Sequence, residues 1–357
     1  MTNIIIYDYY MNVKIHQQIN KNKYKLYVKS QRPINDIYNG KIVNPPIFNK
    51  ILYLLENINI KKLQMLYNML NFNGRLLIYN KFKNIVDESK LKYKSNKTYI
   101  IIKRKDNIQY VFKDMRIVEF IIIGVQKGGT TALAYNISTH PDIYINDNKD
   151  PRISEPHFFD INWKNGIDYY KNLFDYSKKI VGEKTPNLLY LKYTYPLIQA
   201  VNPFVKIIVC LRNPITRAYS HWKMMKERYN DVLSFEEEVE YELNNKVNEN
   251  ITTYTASKHF IKRGLYYEQI VELFKWFPKH NILILFQEEI LLDMVLSYTK
   301  IYDFLNLKYH IPTNKLINES IDKTEISSSL CNKLIDFFKE DVIKLEKLLN
   351  IKINWFN

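Results

Sequence analysis

Apolar runs alternate with amphipathic stretches along the chain after Met115. The run VKIIVCL at 205–211 is apolar on both faces, as is typical of parallel strands that helices cover on both sides. The alternation predicts strands at 117–125, 179–181, 205–211 and 281–286. It predicts helices at 130–138, 215–228, 267–277, 292–305 and 328–349. Residues 116–357 are therefore expected to form an α/β domain, a parallel sheet flanked by helices.

The first 115 residues show a less regular pattern of short elements. A helix is predicted at 51–70, then a turn at Asn73-Gly74 and strands at 76–79 and 98–103. This mixture predicts a small N-terminal α+β accessory domain over residues 1–115, and the sequence does not indicate its role.

A glycine-rich turn follows the first strand of the larger domain, in the stretch FIIIGVQKGGTTAL at 120–133. The turn opens a predicted helix, whose first N–H groups lack intrahelical partners and carry the positive end of the helix dipole. Gly128 and Gly129 let the backbone approach an anion, Lys127 adds a charge, and Thr130 and Thr131 add hydroxyl donors. The stretch predicts a binding site for a phosphate-like group in a P-loop-like fold.

The same turn departs from the P-loop of nucleotide hydrolases, GxxxxGK[ST]. Gly124 and Gly129 have the P-loop spacing, but Thr130 stands where the P-loop lysine belongs. The lysine lies inside the turn instead, at Lys127. The turn is thus suited to an anion but is not built like that of an ATPase.

A second stretch with polar residues at the end of a predicted strand is VKIIVCLRNPITRAYSHW at 205–222. Arg212 follows the strand, Pro214 begins a helix where its missing N–H is harmless, and Ser220 lies two turns further. Nucleotide hydrolases carry a magnesium-binding aspartate at the end of this strand. An arginine there can bind a phosphate in bidentate fashion, and a hydroxyl from the helix can complete the site.

Composition adds limited information on partners and location. The formal net charge of +15 fits nucleic acid, an anionic membrane, or acidic small molecules and polysaccharides. The two cysteines, Cys210 and Cys331, cannot form a disulfide framework, which indicates a reducing compartment. No run approaches the roughly 20 apolar residues of a membrane span, and the N-terminal apolar run is too short for a signal peptide. A cytoplasmic protein is expected.

Taken together, the two stretches resemble those of the sulfotransferase superfamily, whose donor is 3′-phosphoadenosine 5′-phosphosulfate. SEPHFFD at 154–160 and GEKTPNLLY at 182–190 are similar to segments of its heparan-sulfate-type branch, which acts on nitrogen and oxygen groups of sugars, and of bacterial relatives. The resemblance covers about residues 117–357. It implies transfer of a sulfonate group to a hydroxyl or amino group, with a glycan as the expected acceptor.

The resemblance also implies roles for individual residues. The 5′-phosphosulfate would contact the turn, at Lys127, Gly128, Gly129, Thr130 and Thr131. The 3′-phosphate would contact Arg212 and Ser220. Glu155 would act as general base with support from His157, Lys127 would stabilise the leaving phosphate, and Lys184 would lie near the transferred sulfonate. No metal is expected, because lysine and arginine supply the positive charge.

Two other functions remain open from the residues alone. A P-loop-type kinase or NTPase would hydrolyse ATP with magnesium, although Thr130 and Arg212 argue against it. A non-enzymatic basic module would bind polyanions, although no nucleic-acid motif is present and no nucleic acid partner is expected. The sequence does not reveal the acceptor or the oligomeric state. Residues 229–262 are the expected variable lid, and Lys323 is a candidate to cover the nucleotide.

Overall fold

The structure is a computed structural model that describes residues 117–146, 155–202, 205–244, 257–312 and 326–356, together with six strands nearer the N-terminus. The chain forms two compact units. One contains Met1–Val118, Asn162–Leu173 and Tyr193–Val205. The other contains Glu119–Ile161, Phe174–Lys192 and Lys206–Asn357, and it holds the predicted site residues.

The first unit contains a six-stranded sheet in the order β1-β2-β3-β4-β6-β5. Its first four strands are parallel, and β6 is antiparallel to both β4 and β5. The strands are β1 (Ile4–Ile5), β2 (Lys25–Val28), β3 (Phe48–Tyr53), β4 (Leu70–Tyr79), β5 (Lys94–Ser95) and β6 (Tyr99–Lys103).

Two predictions for this unit are confirmed and two are wrong. The strands predicted at 76–79 and 98–103 correspond to β4 and β6. The helix predicted from residue 51 is wrong at its start, because Phe48–Tyr53 is a strand; residues 54–69 lie outside the described part. Asn73-Gly74 is not a hairpin turn. It lies inside β4, where pairing with β3 jumps from Leu70 to Arg75, so these residues form an irregularity in one long strand.

The second unit contains a five-stranded, fully parallel sheet in the order β11-β10-β7-β9-β8. The predicted α/β architecture is confirmed, and each of the four predicted strands is present. The sequence pattern missed β8, which has only three residues. The strands are β7 (Phe120–Gly124), β8 (Ile143–Ile145), β9 (Ile180–Lys184), β10 (Lys206–Leu211) and β11 (Ile282–Phe286).

The five predicted helices are present. The one predicted at 292–305 begins at Met294, because the side chain of Asp293 accepts a hydrogen bond from the Leu296 amide and caps its N-terminus. Among the described residues, the sequence pattern missed four helices, at Gly166–Lys171, Tyr195–Val201, Phe235–Asn244 and Gln287–Leu292. The helices are α1 (Thr130–Ser138), α2 (Gly166–Lys171), α3 (Tyr195–Val201), α4 (Pro214–Arg228), α5 (Phe235–Asn244), α6 (Tyr266–Trp276), α7 (Gln287–Leu292), α8 (Met294–Leu305) and α9 (Ser328–Leu349).

Two apolar clusters fix the helices of the second unit. In the first, α1 and α8 pack on one face of the sheet, with Leu133, Ile137 and Ile301 against alternate residues of β7 and β10. In the second, α4, α5 and α9 pack together through residues that include Ile215, Val239, Leu334 and Phe338. Cys210 belongs to the first cluster, as its apolar surroundings in the sequence indicate.

The parallel sheet positions the candidate site. The carboxyl ends of parallel strands lie at one edge, where ligands of α/β proteins bind. The glycine-rich turn follows β7, Lys184 ends β9 and Arg212 follows β10. Among the helices that the structure describes, none combines the length and apolar character needed to cross a membrane.

Candidate functional site

The glycine-rich turn is packed tightly against β10. The Val125 amide donates to the Cys210 carbonyl at 3.0 Å, and the Gly128 amide donates to the Val125 carbonyl at 2.9 Å. A Cβ on Gly128 would lie 2.5 Å from the Cys210 oxygen, so the turn cannot take this path with a larger residue.

The backbone of the turn is adapted to bind an anion. Lys127 has φ of 68° and Gly129 has φ of 82°, both left-handed, and for lysine this conformation costs about 1–3 kcal/mol. Gly129 occupies the N-cap of α1 and no side chain caps that helix. The first turn of α1 and the backbone before it therefore form a cradle for a negative group.

Arg212 connects the turn to α4. Its Nη1 donates to the Lys127 carbonyl at 3.1 Å, and its Nε donates to Thr216 Oγ1 at 3.0 Å. The side chain of Asn213 accepts from the Ile215 amide at 3.0 Å and fixes the start of α4. Ser220 lies one helical turn after Thr216, on the same face of the helix and nearly buried.

Glu155 is held between two cationic side chains. Its Oε1 lies 2.9 Å from Lys184 Nζ, and its Oε2 lies 3.2 Å from His157 Nε2. Lys184 Nζ also donates to Thr131 Oγ1 at 3.2 Å. The same lysine thus contacts the predicted base and the first turn of α1.

His157 is in turn held by Asp160, whose Oδ2 lies 2.9 Å from His157 Nδ1. The side chains of Asp160 and Lys184 are 0% and 2% exposed, whereas those of Glu155 and His157 are 27% and 26% exposed. Solvent therefore reaches Glu155 and His157, in the middle of this row of charges, but not Lys184 and Asp160 at its two ends.

The charges shift the pKa values of the two exposed members. Burial alone would raise the pKa of Glu155, but the hydrogen bond from His157 and the charge of Lys184 outweigh it and lower that pKa below its usual range. Burial likewise lowers the pKa of His157, but its hydrogen bonds with Asp160 and Glu155 outweigh burial and raise the pKa of His157 to about 10. At neutral pH Glu155 is ionised and His157 is protonated.

Asp160 was not recognised from the sequence. Residues Phe158–Asn162 form one π-helical turn, and this turn brings Asp160 back to His157, three residues earlier. An extended segment would put His157 and Asp160 on opposite faces, so the alternation of a strand does not bring them together. The signal that was present is the spacing of a histidine and a carboxylate three residues apart, which fits a helical turn.

The pKa of His157 predicts a pH dependence of stability. A folded pKa above the unfolded value, about 6.5, means that His157 stabilises the fold fully below that pH and loses this contribution as pH rises through about 10. The melting temperatures of the protein and of His157→Gln should therefore differ most near pH 6 and converge toward pH 10. The exposed His280 provides the control, since His280→Gln should leave the curve unchanged. A difference that stays constant over this range would contradict the assignment.

The structure thus brings most of the predicted residues to one edge of the sheet. Lys127, Gly128, Gly129, Thr130 and Thr131 form the turn, and Glu155, His157, Lys184 and Arg212 contact it or one another. Lys323, the predicted cover residue, lies outside the described residues. Within the described part of the chain, no three His, Cys, Asp or Glu residues are arranged to hold a metal ion.

The fold and the turn define an α/β protein of the P-loop-like class, with an anion cradle at the carboxyl edge of a parallel sheet. Residues 118–342 match the model of the sulfotransferase domain family, and the chain belongs to that family.

Similar proteins of known structure or curated function agree with this assignment. Heparan sulfate glucosamine 3-O-sulfotransferase 3B1 of Mus musculus is 32% identical over 190 residues, which cover 53% of this chain and 46% of that protein. Heparan sulfate glucosamine 3-O-sulfotransferase 5 of Homo sapiens is 26% identical over 265 residues, covering 66% of this chain and 73% of that protein. A sulfotransferase from Alicyclobacillus acidocaldarius has a TM-score of 0.55 and 25% identity, covering 68% of this chain and 100% of that chain. This chain spans about half the length of the curated relatives that it matches first.

Proposed function

We propose that this protein transfers a sulfonate group from 3′-phosphoadenosine 5′-phosphosulfate to a hydroxyl or amino group of a carbohydrate. One observation carries the proposal: Lys184 Nζ contacts Glu155 at 2.9 Å and Thr131 at 3.2 Å. A carboxylate suited to take a proton and a turn suited to bind an anion therefore share one buried cation. Family membership supports the same reaction class.

The donor end of the proposed site is the turn together with α4. The cradle fits a phosphosulfate, because Gly128 admits no side chain and the first turn of α1 has no side-chain cap. Lys127, Gly128, Gly129, Thr130 and Thr131 would hold the 5′ end, and Arg212 with Ser220 would hold the 3′-phosphate. When bound, the donor would supply the sulfonate and a phosphate leaving group, and Lys127 would offset the charge of that phosphate.

The acceptor end is Glu155, which would take the proton from the attacking hydroxyl or amine. In the structure its pKa is low because Lys184 and His157 both contact it. An anion in the turn competes for Lys184, since the lysine already contacts Thr131 there. If Lys184 turns from Glu155 to the bound anion, the pKa of Glu155 rises, and Glu155 becomes a stronger base when the donor is in place.

A glycan acceptor is proposed from the names of the relatives, which are heparan sulfate sulfotransferases. Heparan sulfate is a polyanion, and the net charge of +15 on this chain favours association with such an acceptor. The kinase alternative predicts binding of ATP with magnesium, so ATP is the comparison ligand in the binding test.

The binding test uses adenosine 3′,5′-bisphosphate and calorimetry. Arg212→Ala should weaken binding roughly tenfold to a hundredfold, the range for a lost hydrogen bond to a charged group. Arg228→Ala is the matched control, because Arg228 is an exposed arginine at the far end of the same helix. Absence of binding to the unaltered protein, binding unaffected by Arg212→Ala, or tighter binding of ATP with magnesium would each refute the proposed donor.

A further inference from the structure

Two buried arginines contact the anion turn at a residue that the proposed reaction does not use. Gln126 lies between Val125 and Lys127 in the turn. Its backbone carbonyl accepts from Arg217 Nη1 at 3.4 Å, and its side-chain Oε1 accepts from Arg263 Nη1 at 2.7 Å. The next carbonyl, that of Lys127, accepts from Arg212. Two consecutive carbonyl groups and one side-chain amide are thus held by guanidinium groups.

We propose that Arg217 and Arg263 are positioning residues that fix the turn, through Gln126, in the conformation that binds the donor. A carbonyl oxygen that faced the cradle would repel an anion. A carbonyl held by a guanidinium is kept away from that orientation, and the N–H groups of the turn are left to bind the anion. The left-handed φ of Lys127 needs such support, because that conformation is unfavourable for lysine.

The burial of both arginines indicates that they act through Gln126 and not as surface cations. Arg217 is 0% exposed and Arg263 is 4% exposed. Burial, and the like charge of Arg217, lower the pKa of Arg263 to about 9. Two like charges buried this deeply are unfavourable unless their donors are used. Arg217 Nη2 donates to the Phe260 carbonyl, and Arg263 Nη1 also donates to Asn187 Oδ1 at 3.0 Å.

The buried side chain of Glu242 orders the segment 260–263, which contains Arg263 and contacts Arg217. Glu242, on α5, accepts from the backbone amides of Phe260, of Ile261 at 3.0 Å and of Lys262 at 3.1 Å. Phe260, at the start of this segment, supplies the carbonyl that accepts from Arg217, and Arg263 lies at its end. A row of polar contacts therefore runs from Glu242 through the segment 260–263 to Gln126 and the turn.

The inference rests on the proposed function, since the turn must be the donor site for its conformation to matter. A double-mutant cycle on Gln126 and Arg263 tests it, with binding of adenosine 3′,5′-bisphosphate as the measurement. Gln126→Ala and Arg263→Met should each weaken binding roughly tenfold, and the double variant should bind no more weakly than the weaker single variant. A structural role alone would lower the melting temperature of Arg263→Met and leave the affinity of the folded protein unchanged.

The control cycle pairs Gln126→Ala with Ser220→Ala. Ser220 is proposed to contact the 3′-phosphate and has no hydrogen bond to Gln126 or Arg263 among those described, so the two losses should add. Arg217→Met serves as a second variant if Arg263→Met does not fold. Tight binding by both Gln126→Ala and the folded arginine variant would overturn the inference, and so would additive losses in the first cycle. If the unaltered protein does not bind the nucleotide, the proposed function fails instead.

Discussion

Replacing Glu155 by glutamine is expected to lower the rate of sulfonate transfer on the order of 10²–10⁴-fold, the usual contribution of a general base. The amide matches the carboxylate in size and can still accept a hydrogen bond from Lys184, but it cannot take a proton from the acceptor. Nucleotide binding should be retained, since Glu155 does not belong to the turn. Transfer of labelled sulfonate from 3′-phosphoadenosine 5′-phosphosulfate to heparan sulfate and to a panel of other glycans measures the rate.

A matched control for this variant is Glu272→Gln. Glu272 also pairs with a lysine, Lys275 at 2.7 Å, and lies on α6; its described hydrogen bonds and ion pairs involve Lys275 and Trp276, outside the candidate site. Its replacement should leave the rate of transfer unchanged. Full activity of Glu155→Gln would remove Glu155 from the role of base, whereas loss of nucleotide binding would show that it acts on the donor.

Much of the α/β unit could be predicted because its elements are long and have clear ends. The helices Thr130–Ser138 and Ser328–Leu349 have the predicted bounds, since a glycine and a serine stand at their N-caps. The helix predicted at 51–70 is wrong at its start because the sequence around residue 51 has no clear periodicity. The apolar residues of the stretch 48–58, FNKILYLLENI, follow no clear period of 2 or 3.6, so the local sequence does not distinguish a strand from a helix. Pairing with β2 and β4 makes Phe48–Tyr53 a strand.

The site residues that follow strands could be found because parallel strands bring their carboxyl ends together. The turn, Lys184 and Arg212 meet for that reason, although they lie far apart in sequence. The contacts of Gln126 could not be found in this way. Its partners Arg217 and Arg263 are 91 and 137 residues away, and neither follows a strand directly. Their approach depends on how α4 and the segment before α6 pack.

The side chain of Arg212 can hold the glycine-rich turn and bind a ligand at the same time. It was predicted to bind the 3′-phosphate, and it contacts Thr216 and the Lys127 carbonyl. A guanidinium has five N–H donors, so these two contacts are compatible with a phosphate contact. The same side chain can therefore connect the two ends of a bound nucleotide.

Replacing Glu155 by glutamine is also expected to destabilise the fold by roughly 3 kcal/mol, the lower end of the range for a broken buried ion pair. The cause is Lys184, whose side chain is only 2% exposed and would lose its negative partner. The lower end applies because Glu155 is 27% exposed, so water screens part of the pair. Denaturant unfolding of the protein and of Glu155→Gln measures the loss.

A second replacement separates this loss of stability from the loss of catalysis. In the double variant Glu155→Gln with Lys184→Met, the buried lysine cation is removed and His157 keeps the carboxylate of Asp160. Methionine keeps most of the apolar contacts of the lysine stem. Stability should return to within about 1 kcal/mol of the unaltered protein, because neutral, well-packed pairs often equal buried ion pairs. Activity should stay at or below that of Glu155→Gln, because Lys184 also contacts Thr131 at the anion turn. Recovery of activity along with stability would show that Glu155 holds the fold and is not the base.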